Sequence, residues 1–295
     1  MPAYPFVTLD VFTDQKFGGN PLAVFTDARG LSDAQMQNLA AEFNLSETTF
    51  VLPPENPAHT ARVRIFNRTA EMPFAGHPSV GTGFVLAGLG HGRDNALTLE
   101  VQAGLVEVEI TRDANGAANG GVISAPRALS LGEELSVEAV AACAGLNPDD
   151  VIITAHRPVE ASVGVTFYLA EVTGEALTRA APDLAAFRRV GEGRADAAAR
   201  LSLHLYARDG DKIRARMFAP LAGTIEDPAT GSANATLSAL LLSLSDAESQ
   251  SFDIVQGVEM GRPSRLTGAA RRAADGVRAT IGGGCVMMLR GEAEL

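Results

Sequence analysis

The sequence predicts a mixed α/β fold built as two similar domains, and three observations carry that expectation. At 295 residues the chain is long enough for two domains of about 150 residues, each able to bury a core. Strand-like segments alternate with few helices along its whole length. A stretch of the first half also recurs, in order, in the second. Hydrophobic residues make up 46% and charged residues 20%, which excludes a disordered or fibrous chain.

The elements follow from local pattern. Residues 6–12 and 22–25 read as strands on either side of the turn-forming Gly18-Gly19-Asn20-Pro21. In residues 32–44, Met36, Leu39, Ala40 and Phe43 recur at the helical period, and Ser32 with Gln35 supplies a capping box. Residues 60–66 alternate Ala61, Val63 and Ile65 with Arg62 and Arg64, the period of a strand. Residues 97–102 and 105–110 form a hairpin joined at Ala103-Gly104. The Asn, Gly and Ala of residues 115–121 read as a loop or linker. Beyond it, residues 136–144 form a short helix closed by Gly145, residues 163–170 and 201–207 are strand-like, and residues 213–218 alternate again.

The repeat aligns the segment from Ala61 with the segment from Ile213, with three residues inserted in the second copy. Arg62, Arg64 and Phe66 meet Arg214, Arg216 and Phe218. Glu71, Pro73 and Gly76 meet Glu226, Pro228 and Gly231, and Val101-Gln102 meets Val255-Gln256. Each copy runs strand, loop, apolar helix, with the helices starting near Pro78 and Ser232. A helix start exposes unpaired backbone N–H groups that favour an anion, so two of them facing one another across a cleft would hold a carboxylate. The expected division is residues 1–120 for the first domain and 121–278 for the second.

Charge bears on partners. A net charge of −11 repels phosphate backbones and anionic lipid, and no Lys/Arg run is longer than Arg271-Arg272, so neither a nucleic acid nor a membrane is expected as a partner. Cys143 and Cys285 match no metal or redox spacing, which predicts reduced cysteines and no metal. The N-terminus has no leader pattern, and the longest apolar stretch is far below the ~18 residues of a bilayer span, so a soluble, cytoplasmic protein is expected.

Few residues stand out as chemical. His77, in Gly76-His77-Pro78, lies at a helix start, and the matching loop of the second copy holds Asp227, Thr230, Gly231 and Ser232. Asp227 and Ser232 are also good helix caps, and the two readings coexist. Glu47, in Ser46-Glu47-Thr48-Thr49-Phe50, reads from its neighbours alone as a solvated loop residue. His59, His91, His156 and His204 have no metal spacing. Ser232, His77 and Asp227 are the residue types of a hydrolase triad, but Ser232 lacks the Gly-x-Ser-x-Gly elbow. No nucleotide-binding, phosphate-binding or zinc-protease pattern occurs.

Taken together, FGGNPLAVF, SETTF, Gly76-His77-Pro78, DPATGSA, Gln256-Gly257 and Met260-Gly261-Arg262-Pro263-Ser264 resemble, in order and spacing, the PhzF-like isomerases, the family of phenazine biosynthesis protein F. The resemblance runs from Asp10 to about Glu292. It implies a diaminopimelate-epimerase-like architecture, in which each domain is a curved, mostly antiparallel sheet wrapped around a central helix. It also implies a last strand, within residues 279–295, that returns to the first domain, and a homodimer. By the same resemblance the protein is a cofactor-free isomerase of a small carboxylate metabolite held between the domains. Glu47 looks like the proton-shuttling base, with His77, Asp227 and Ser232 as the other catalytic groups. Gly76, Gly231, Ser46 and Thr230 then bind substrate. A carboxylate against an apolar wall would titrate above its usual range, which suits it to accept and to return a proton. The related diaminopimelate epimerases use two thiols, and the corresponding positions here are His77 and Ser232, which disfavours a two-thiol racemase. A non-catalytic binding protein of the same fold is the other alternative.

Overall fold

A computed structural model describes residues 2–92, 95–192, 194, 201–210 and 212–295. The chain divides into two units, Met1–Ser124 with Gly282–Leu295, and Ala125–Ile281.

The first unit contains β1 (Ala3–Val11), β2 (Asn20–Phe25), α1 (Asp33–Phe43), β3 (Glu47–Leu52), β4 (Ala61–Phe66), β5 (Glu71–Met72), α2 (Gly76–Gly88), β6 (Ala96–Val101), β7 (Gly104–Arg112) and β8 (Ala118–Ser124). Strand β1 is antiparallel to β2, with Leu9 opposite Leu22 and Asp10 opposite Pro21. Helix α1 then carries the chain to β3, parallel to β2, with Leu22 beside Glu47. In the same way α2 connects β4 to the parallel β6, with Ala61 beside Leu99. The pairs β3–β4, β4–β5, β6–β7 and β7–β8 are antiparallel.

Helix α2 is the centre of this unit. Ten of its thirteen residues are buried, among them His77, Val80, Thr82 and Leu86, the pattern of a helix enclosed on all sides. Small residues make that possible. A Cβ on Gly81 would stand 2.6 Å from Leu22 Cδ2 and 2.8 Å from Val11 Cγ2, so the strands reach the helix only because the side chain is absent. The outer face of the sheet is covered by α1, through Met36, Leu39 and Ala40 packed on Phe25, Phe50 and Phe66.

The second unit holds β9 (Ser130–Glu134), α3 (Val137–Ala144), β10 (Val151–Ile152), β11 (Val159–Ser162), β12 (Thr166–Val172), α4 (Gly174–Arg179), α5 (Leu184–Gly191), β13 (Leu203–Asp209), β14 (Lys212–Ala219), β15 (Thr224–Asp227), α6 (Gly231–Ser243), β16 (Ser249–Gln256) and β17 (Ser264–Ala273). It repeats the plan of the first: β13 is parallel to β12 and β16 is parallel to β14. The fully enclosed helix is now α6. Helices α3, α4 and α5 contribute Val140, Leu177 and Phe187 to the core on the outer face. Strand β18 (Gly276–Glu294) completes the chain, and its end pairs with β1, Val11 opposite Cys285 and Ala3 opposite Glu294.

The repeat extends to individual interactions. Arg64 binds Glu71 through two hydrogen bonds of 2.8 and 2.6 Å, and Arg216 binds Glu226 through two of 2.8 and 2.9 Å. Each guanidinium also lies over the next aromatic ring of its strand, Arg64 at 5.1 Å from the Phe66 centroid and Arg216 at 5.0 Å from that of Phe218. In one detail the alignment shifts. Leu99 pairs with Ala61 as Ile254 pairs with Ile213, so Gln256 corresponds to Val101 rather than to Gln102.

Residues 115–121 are only partly a loop. The turn is held by Asp113, whose carboxylate accepts from Asn115 N–H at 2.8 Å and Ala117 N–H at 2.9 Å, and β8 begins at Ala118. The first unit therefore ends after Ser124, four residues beyond the expected division. The glycines that suggested a linker serve another purpose: a Cβ on Gly120 would meet the Gly283 carbonyl oxygen at 2.2 Å.

Candidate active site

Both central helices start without a side-chain cap. Helix α2 begins at Gly76, two residues before the expected Pro78, and α6 begins at Gly231, one before Ser232. The residue before each is Ala75 or Thr230, and neither offers a side-chain capping bond. Ser232 thus lies within the first turn and does not cap the helix. The cap position belongs to Thr230.

In the first unit the structure brings Glu47 and His77 together. Asn44, in the left-handed conformation, ends α1, and the chain passes Leu45 and the half-buried Ser46 to place Glu47 as the first residue of β3. His77 occupies the second position of α2. Its Nε2 lies 3.3 Å from Glu47 Oε2, with side chains only 6% and 15% exposed. The contact is close, but it lacks the alignment of a hydrogen bond. The other ring nitrogen bonds the Pro21 backbone, where only a carbonyl is available, so that nitrogen is the donor. Burial pushes the imidazole down to about 3, and the ring is neutral at ordinary pH. A neutral ring that carries its proton on the Pro21 side presents a lone pair to Glu47. Nε2 therefore offers Glu47 Oε2 an acceptor and no donor.

Pro21 is opposite Asp10, and the buried Asp10 carboxylate accepts from Phe17 N–H at 2.8 Å, which ties the β1–β2 loop to the same place. Asp10 carried no signal in the sequence beyond its position just ahead of the FGGNP motif.

In the second unit Asp227, the last residue of β15, is buried, and its Oδ2 accepts from Thr230 Oγ1 at 2.6 Å. Gln256 spans the loop: Nε2 donates to the Asp227 carbonyl at 2.7 Å and Oε1 accepts from Thr230 N–H at 3.2 Å. Ser264 Oγ donates to the Pro228 carbonyl at 2.8 Å. Gly257, at φ +76°, lets the backbone approach, since a Cβ there would stand 2.5 Å from the Pro228 oxygen. The Gln256-Gly257 and Arg262-Pro263-Ser264 motifs are thus the support of the Asp227–Ser232 loop. Thr230 spends its hydroxyl proton on Asp227, so its side chain serves that loop. Ser232 is half-buried.

Both cysteines are reduced and buried, one in α3 and one in β18. Burial pushes the Cys143 thiol up to about 12 and raises that of Cys285 further, so neither is a thiolate. Among the described residues no group of three His, Cys, Asp or Glu side chains is placed to hold a metal ion. No described helix is long and apolar enough to cross a membrane.

The two units are thus copies of one plan, each with an enclosed helix and an uncapped start, and the first also bears the Glu47–His77 contact. Comparison with known proteins names the family. Residues 9–291 match the phenazine biosynthesis-like protein family, PhzC-PhzF, and the chain belongs to it. It is 39% identical over 271 residues to an uncharacterized isomerase of Mesorhizobium japonicum, covering 88% of each chain. It is 35% identical over 295 residues to the trans-2,3-dihydro-3-hydroxyanthranilate isomerase of Pseudomonas chlororaphis, covering 97% of this chain and 98% of the other. The crystal structure of the Bacillus anthracis phenazine biosynthesis protein of the PhzF family superposes with a TM-score of 0.88, at 26% identity and full coverage of both chains. The protein is an isomerase.

Proposed function

We propose that the protein isomerises a small unsaturated or cyclic carboxylic acid by proton transfer, with Glu47 as acid and base and with no cofactor. Glu47 takes a proton from one carbon of the substrate and returns it to another, so the atoms balance within the substrate. The observation that carries this reading is the contact between Glu47 and the neutral His77. A shuttling carboxyl passes through its acid form in every turnover, and Nε2 then stands 3.3 Å away as an acceptor. When Glu47 is the carboxylate, the same lone pair disfavours it and raises its readiness to accept a proton.

His77 is accordingly a partner of the base. The backbone N–H groups of Gly76, His77, Gly231 and Ser232, at helix starts with no side-chain cap, suit a carboxylate and the charge that develops as the proton leaves. Ser46 and the Ser232 hydroxyl are the remaining polar contacts, and Asp227 is held as a fixed acceptor. A thiol epimerase is disfavoured: the loop positions that the family resemblance equates with its two thiols are His77 and Ser232, and both cysteines sit elsewhere as buried thiols.

The name of the Pseudomonas relative supplies the first probe. Incubation with trans-2,3-dihydro-3-hydroxyanthranilate and a panel of cyclic unsaturated acids in deuterated water, followed by NMR, tests the proposal. Isomerised product, with deuterium at a carbon that gained a proton, is expected. Absence of both isomerisation and exchange across the panel contradicts it. In the same proposal the protein is a cytoplasmic homodimer.

A further inference from the structure

Asp227 stands at the end of a chain of four hydrogen bonds whose direction is fixed at every link. Gln256 has one amide orientation, because Oε1 meets Thr230 N–H at 3.2 Å and Nε2 meets the Asp227 carbonyl at 2.7 Å. Asn234 is fixed in the same way, since Nδ2 donates to the Thr230 carbonyl at 3.0 Å. Its other Nδ2 proton goes to Gln256 Oε1 at 2.7 Å. Asn234 Oδ1 is therefore an acceptor, and His204 Nε2, 3.1 Å away, must carry a proton. At the other end Gln256 Nε2 donates to Thr230 Oγ1 at 3.1 Å, which leaves the hydroxyl proton for Asp227 Oδ2 at 2.6 Å. His204, Asn234 and Gln256 are each 0% exposed.

We infer that His204 is a positioning residue: it heads a one-way chain, His204 to Asn234 to Gln256 to Thr230 to Asp227, that holds Asp227 Oδ2 as an acceptor and keeps the migrating proton off it. The tether to the helix has a counterpart in the first unit. Thr49 pairs with Ile65 as His204 pairs with Met217, and Thr49 Oγ1 lies 2.9 Å from Thr82 Oγ1 of α2. Both units thus fasten the same strand position to the central helix by a buried polar bond. Only the second extends the bond to the catalytic loop. His204 suits the position because it is neutral, burial having pushed it down to about 4, and because its bare Nδ1 has no partner that could recruit the proton to the wrong side.

The catalytic part of this inference rests on the proton-transfer reading, whereas the arrangement itself is measurable without substrate. NMR of the full chain labelled with nitrogen-15 histidine should show His204 as the neutral Nε2–H tautomer from about pH 8 to about pH 5. Carbon-13 aspartate labelling should place the Asp227 carboxyl signal with ionised carboxylates. His204→Leu removes the donor and should shift that signal and lower the exchange rate about tenfold, while His204→Gln, which keeps an N–H donor, restores both to within about threefold. An Nδ1–H or charged His204, or equal effects of Leu and Gln, overturns the inference. Where the Leu variant does not fold, the tautomer of the parent protein decides alone. A correct tautomer and carboxyl signal with no isomerisation of any acid would count against the reaction and leave the chain standing.

Discussion

Nε2 of His77 lies 3.3 Å from Glu47 Oε2, and the opposite side of the same ring is committed to the Pro21 backbone. A helix position and a strand start, thirty residues apart in sequence, are thereby brought together with the ring in a single tautomer. The ring turns an acceptor, not a donor, toward the carboxyl, and burial keeps it neutral. Consequences for stability as well as for chemistry follow from the same geometry.

Buried neutral histidines make stability depend on pH with a definite sign. His77 is held at about 3 and His204 at about 4, both below the unfolded value of 6.5. Below about pH 6.5 the unfolded chain gains protons that the folded chain refuses, so stability is full above that pH and falls as the pH drops toward the folded values. Urea unfolding should lose about 2 to 3 kcal/mol for each histidine between about pH 6.5 and about pH 4.5. His77→Gln should remove its share of the slope. A profile that is flat over this range contradicts the protonation states described for both rings.

The equivalent arginines should differ in cost. Arg216 is 7% exposed at its side chain and, besides Glu226, donates to the carbonyls of Leu177 and Ala180, whereas Arg64 is 16% exposed and reaches Glu71 and Asp33. Arg216→Met strands a half-buried carboxylate together with the buried carbonyls of Leu177 and Ala180, and should cost about 3 to 5 kcal/mol by urea unfolding. Arg64→Met should cost less, about 1 to 2 kcal/mol, because water reaches its partners. Equal losses would show that the extra carbonyl contacts of Arg216 carry no weight.

Two glycines of α2 should respond with opposite signs. Gly81→Ala drives a methyl to within 2.6 Å of Leu22, and overpacking of that kind costs about 1 to 3 kcal/mol. Gly88→Ala meets nothing within 4 Å and should stabilise by about 0.5 to 1 kcal/mol through helix propensity. Thermal unfolding of the two variants side by side checks whether the helix is enclosed where described.

Much of the plan was legible where the signals are local. The α1 capping box and the Gly145 that closes α3 are written in neighbouring residues, and both are present. The repeat was legible because Arg64, Phe66 and Glu71 recur as Arg216, Phe218 and Glu226, the residues that carry the paired ion bonds and ring contacts. What escaped depends on partners far along the chain. Gly120 answers to Gly283, so a strand looked like a linker. The helix starts lie earlier than expected because neither has a side-chain cap to mark it. Glu47 looks solvated from its neighbours, and only the register of β3 against β2 places it beside His77. The Asn234, Gln256 and His204 network is invisible for the same reason, since three separate elements supply it.

The central claim is that Glu47 moves the proton. The measurement that tests it most directly is deuterium incorporation from solvent into a turned-over acid, compared between the parent protein and Glu47→Gln, a substitution close in size that carries no acid or base. Loss of about 100-fold to 10,000-fold in exchange, with the fold and the His77 signal retained, is the predicted result. Exchange by Glu47→Gln at the parent rate would contradict the account.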